Sequence, residues 1–196
     1  MPRTRLLHKT FAENLDSSRV SELALLVAAV WAVGGMIVLG LLRGLPRAGD
    51  ANVPGHQVRN VVLLAAVLCF GSLAGAFIFY DSPVLGDAIQ SATSTTAGSR
   101  LLVLGVALIT GAAEENFFRV GLHRLLPKKY APYIATVAYV IATGATGNAA
   151  LVVMAAVLGM TSSIALQLTG RAVVPILIHA AWTLTMVGLF PLLITS

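Results

Sequence analysis

Glu114 and Glu115 stand side by side in a stretch that otherwise reads as a membrane-crossing helix, and Arg119 follows one turn later. The apolar run before them, Leu101 to Ala113, is about 13 residues long, well short of the ~20 that cross a hydrocarbon core. The helix is therefore expected to run on to about Leu126, which puts both carboxylates below the membrane surface. An ionised group at the bilayer centre costs at least about 2.5 kcal/mol on insertion scales, so such residues are functional candidates by default. Helical geometry places Glu115 and Arg119 on one face as an i, i+4 pair, while Glu114 points about 100° away. Adjacent carboxylates resist double ionisation unless a cation compensates one of them. On one reading, Arg119 neutralises and orients Glu115, and Glu114 faces a water-filled cavity where it accepts a proton as a general base. On the other, all three residues form a structural ion pair near the helix end.

His179 is the second chemical candidate, buried in the apolar run Ala172 to Trp182 with Thr183 one turn further on the same face. At ~1.5 Å per residue, His179 counts to about 12 Å below the surface at Arg171, and Glu114 to about 18 Å below the same surface at Leu126. A Glu and a His at such depths on adjacent helices can share one water, the Glu as base and the His facing a developing oxyanion. The structural alternative is a neutral His bonded to a backbone carbonyl. His123, near a basic loop, is expected to meet water or headgroups, and His8 and His56 lie outside the apolar runs. Ser162 and Ser163 have no base near them in sequence, and no serine-protease pattern is visible.

The elements that must position these groups are membrane helices. The chain has 196 residues, 57% of them hydrophobic and 11% charged, and a mean hydropathy of +0.87, far from a soluble globular domain. Six apolar stretches run from about Val20 to Leu42, Asn60 to Tyr80, Leu101 to Leu126, Ala131 to Ala145, Asn148 to Gln167 and Ala172 to Ile194. Their length without period-2 alternation argues for helices and against a barrel. The expected fold is all-α: a polytopic transmembrane bundle of about six spans, with residues 20–196 as one domain behind a basic interfacial arm at 1–19. The Pro- and Gly-containing segment Arg43 to Arg59 and the Ser- and Thr-rich segment Asp81 to Ser99 read as loops. Gly71 and Gly75 form a GxxxG pair, expected to serve close packing within the chain.

The net charge of +5 belongs mostly to loops and the N-terminal arm, where it suits anionic lipid headgroups. No aromatic residues interleave it as a nucleic-acid surface would require, so the expected partner is the lipid bilayer and nucleic acid is excluded. The single Cys69 forms no internal disulfide.

Glu114-Glu115-Asn116-Phe117-Phe118-Arg119 matches the EExxxR signature of the CAAX protease and bacteriocin-processing family, also called CPBP or Abi. The setting is similar too: an apolar helix, a basic loop, two short apolar helices, then a helix bearing a His. The resemblance covers about 101–189 and implies a four-helix C-terminal core. It also implies an intramembrane endopeptidase acting on a membrane-embedded or lipidated peptide or protein, with Glu114 as the base, Glu115 its partner, Arg119 the orienting cation and His179 the His of the last motif. Two positions depart from the family pattern. Its FxxxH motif falls on Tyr139 to Thr143, with Tyr for Phe and Thr for His, and its HxxxN motif ends in Thr183. Thr143 counts to about 18 Å below the surface at Ala131, a depth that fits the site.

A Thr hydroxyl donates a hydrogen bond but neither carries positive charge nor ligates a metal as imidazole does. No cofactor is expected. A divalent metal such as zinc is disfavoured, because Glu114 and Glu115 diverge by about 100° and do not chelate one ion together. Thr143 and Thr183 also motivate a rival from another class, a catalytically silent relative acting as an immunity factor, scaffold or partner of another membrane protein. A transporter or proton relay ranks below both, since no internal repeat is visible.

Overall fold

In a computed structural model, residues 17–41, 53–93 and 100–194 are described, and among them every regular element is helical. The proposed arm lies outside the described residues up to residue 16, as do Arg43 and Arg47 of the first loop. Helix α1 is Ser17–Leu41, α2 is Gly55–Phe79, α3 is Gly86–Thr93, α5 is Ala131–Gly144 and α6 is Ala149–Thr169. Helices α4, Arg100–Leu125, and α7, Val173–Ile194, each contain a π-helical segment.

Helices α2, α4, α6 and α7 are long and apolar enough to cross a membrane. The apolar part of α1, Leu26–Val38, and all of α5 are shorter. The 14 residues of α5 span about 21 Å, less than a ~30 Å hydrocarbon core. The outward faces are apolar, with Phe70 and Ile78 on α2 and Ile141 on α5 largely exposed. Lipid suits such a surface, because helices satisfy their backbone hydrogen bonds internally.

The helices converge on a shared interior. α5 and α6 form a tight antiparallel pair, α1 lies along α4 and its π segment, and α7 packs against α2, α4 and α6. Leu68 of α2, Leu158 and Ala165 of α6 and Ile178 of α7 form one buried cluster. Ala76, Ile89, Met186 and Phe190 join α2, α3 and α7 in another. The α5–α6 turn is shaped by Gly147 at φ 67° and by Asn148, whose Oδ1 accepts from the Leu151 amide at 3.0 Å as an N-cap. Gly170, at φ 65°, ends α6 with its amide donating to the Leu166 carbonyl at 2.7 Å.

Three expectations need correction. The segment from Asp81 to Ser99 is not all loop, since Gly86–Thr93 is helical. It escapes an apolar scan because only one face is apolar, with Ile89 buried, and it is held by Asn148 Nδ2 donating to the Ala88 carbonyl at 2.9 Å. Gly71 and Gly75 make no close packing contact: a Cβ on either would meet nothing within 4 Å, and both line a cavity. His123, which follows directly on the π-helical segment Asn116–Leu122, is buried rather than exposed to water or headgroups.

Candidate active site

The acidic pair closes the α-helical part of α4, and the next residue starts the π-helical segment Asn116–Leu122. Wider turns of this kind are rare and concentrate at functional sites. Glycines let neighbouring helices approach the segment. A Cβ on Gly34 of α1 would come 2.9 Å from the Phe117 ring, and one on Gly35 would come 2.8 Å from Asn116 Nδ2.

Glu115 and Arg119 are completely buried. Arg119 Nε lies 3.3 Å from Glu115 Oε2, an ion-pair contact that is not aligned as a hydrogen bond. Glu115 Oε1 meets His179 Nδ1 at 3.1 Å. Both oxygens of Glu115 are thus engaged, one by a guanidinium and one by an imidazole. His179 therefore bonds to a carboxylate rather than to a backbone carbonyl. The ring can sit there because α4 has Gly111 opposite it, where a Cβ would lie 2.8 Å from His179 Nε2. The guanidinium is similarly accommodated by Gly159 of α6, where a Cβ would lie 2.7 Å from Arg119 Nη2.

Glu114 points elsewhere, as the 100° step requires. It lines a cavity of about 1180 Å³ walled by side chains from every helix, α1 to α7. His179, Thr143 and Thr183 line the same cavity, whereas Glu115 and Arg119 do not. The six candidate residues therefore fall into two layers. Glu115 and Arg119 form a buried ion pair behind the wall, Glu114, Thr143 and Thr183 are on the wall, and His179 belongs to both.

Tyr139 was not among the six candidates, yet its hydroxyl donates to Glu114 Oε2 at 2.8 Å. Its position as the first residue of a departing FxxxH motif was the available signal. Trp182 lines the cavity beside His179, with ring centroids 6.0 Å apart, and its Nε1 donates to Ser72 Oγ at 3.1 Å.

No group of three His, Cys, Asp or Glu side chains suited to a metal ion occurs among the described residues. With both Glu115 oxygens engaged by Arg119 and His179, the donor set does not fit a tightly held zinc ion, which takes three or four protein ligands.

Residues 96–185 match the model of a family described as type II CAAX prenyl endopeptidase, Rce1-like. No curated protein and no solved structure matches the chain. The matched span contains the acidic pair, Arg119, both threonines and His179, so the part of the chain that builds the site is similar to the Rce1-like type II CAAX prenyl endopeptidases.

Proposed function

We propose that this chain is a multi-pass protein of the cell membrane that hydrolyses a peptide bond of a prenylated or otherwise membrane-associated substrate, with Glu114 as the general base. The unequal engagement of the two acids carries this reading. Glu115 is fully buried with both oxygens taken. Glu114 lines the cavity and has only Oε2 in a hydrogen bond to a described residue.

In this mechanism Glu114 Oε1 takes a proton from a cavity water while the water oxygen attacks the scissile carbonyl carbon. His179 gives Nδ1–H to Glu115 and turns the other edge of its ring to the cavity, where the oxyanion develops. The hydroxyls of Thr143 and Thr183 supply further donors on the same wall. The proton on Glu114 passes to the leaving nitrogen as the C–N bond breaks, giving a carboxylic acid and an amine, and the acid proton then moves to the amine so that the products leave as carboxylate and ammonium. Arg119 pairs with Glu115 and keeps that carboxylate fixed behind the cavity wall. No step requires a metal. At about 1180 Å³, the cavity exceeds the ~300–1,000 Å³ of ordinary ligand pockets, leaving room for a lipid chain beside a peptide.

The test is purified protein in proteoliposomes with a panel of prenylated, acylated and unmodified membrane-bound peptides. Cleavage of a lipidated peptide that disappears in Glu114→Ala is expected, and unchanged cleavage in that variant rejects the assignment. The threonines favour one rival, a silent scaffold. Activity that emerges only in Thr143→His/Thr183→Asn would decide for it.

A further inference from the structure

The geometry points to Tyr139 as the positioning residue that aims the Glu114 carboxylate into the cavity, a role that rests on Glu114 being the base. The two acids are neighbours in sequence but diverge by about 100° on the helix, so the ion pair that fixes Glu115 does not aim Glu114. Tyr139 supplies the missing link. Its Oη donates to Glu114 Oε2 at 2.8 Å, which leaves Oε1 as the oxygen that can meet water.

A hydroxyl positions its acceptor only as well as its own ring is held, and this ring is held on several sides. The Arg119 guanidinium carbon lies 4.6 Å from the ring centroid, within cation–π range. Phe118 packs at a centroid distance of 5.1 Å. Gly159 of α6 sits close enough that a Cβ there would come 3.3 Å from Tyr139 Cδ1. The side chain is 6% exposed. A closed chain of contacts results: Glu115 holds Arg119, Arg119 lies over Tyr139, and Tyr139 holds Glu114. The π-helical segment that carries Arg119 is thereby coupled to the base through a side chain of α5. Thr143, one turn further along α5, lines the same cavity, so one face of this short helix serves the base and the substrate space together.

Tyr139→Phe isolates the hydroxyl, because the ring, its packing and the guanidinium contact all remain. We expect kcat to fall roughly 10- to 100-fold, the scale of a misaimed catalytic group, with KM within about 2-fold of wild type and the thermal midpoint unmoved. Wild-type kcat in Tyr139→Phe, alongside an inactive Glu114→Gln, would overturn the inference while leaving the base assignment intact. Cleavage by Glu114→Gln at the wild-type rate would instead remove the base assignment itself. Infrared spectra of protein carrying 13C-labelled glutamate give a readout independent of turnover. The carboxylate band lost in Glu114→Gln should shift in Tyr139→Phe, and an unmoved band refutes the contact.

Discussion

At the level of single residues, two adjacent glutamates of identical chemistry are assigned different tasks by what each touches. Glu115→Gln removes one partner from a fully buried ion pair, a change that costs about 3–5 kcal/mol, and it should lower the thermal midpoint of the purified protein. Glu114→Gln leaves that pair intact and should melt near wild type, while turnover falls at least ~10²-fold, the lower range for losing a general base. Melting curves and cleavage rates on the two variants check both statements, and a destabilised Glu114→Gln with a stable Glu115→Gln would reverse the division of labour. Much of this was legible in the sequence, because the i, i+4 spacing of Glu115 and Arg119 and the rotation between the glutamates are local helical geometry. The bond from His179 to Glu115 was not, since a count of depth places two side chains at one level without saying which atoms meet. The Tyr139–Glu114 hydrogen bond joins helices α5 and α4 across 25 positions, and no local spacing encodes it.

At the level of elements, the site depends on helices that approach more closely than ordinary side chains allow. Gly111→Ala sets a Cβ against the His179 ring at 2.8 Å, and only displacement of the imidazole relieves it. Turnover should fall at least ~10-fold as His179 leaves Glu115, an effect comparable to a modest misplacement of a catalytic group. Gly159→Ala presses on Arg119 Nη2 at 2.7 Å and on Thr136 Cγ2 at 3.1 Å, and overpacking of this kind costs about 1–3 kcal/mol. Its thermal midpoint should drop, and wild-type stability would mean that α4 and α6 are less closely apposed than they stand here. The long helices were readable because an apolar run of membrane length has few alternative structures. Helix α3 was missed because its eight residues, Gly86–Thr93, are too short and too polar overall to register against a membrane scale. The π-helical segments were missed for another reason: an extra residue in a turn alters hydrogen-bond register, which hydropathy does not report.

At the level of the whole molecule, the outer surface is apolar and the polar chemistry is gathered around one cavity between the helices. The cavity was expected from the cost of burying charge, but its walls were not readable from sequence, since they are assembled from helices distant in the chain. Gly71 and Gly75 illustrate this: their spacing suggested close packing, whereas the absent side chains leave open space along α2. The central claim is that solvent reaches Glu114 inside this cavity and does not reach Glu115 behind it. Thiol labelling tests this without knowledge of the substrate, because a water-soluble thiol reagent needs an ionised, accessible thiol. In a Cys69→Ser background, with protein in proteoliposomes, Glu114→Cys is predicted to react with a small charged methanethiosulfonate much faster than Glu115→Cys. Equal rates at the two positions, or faster reaction at Glu115→Cys, would contradict it.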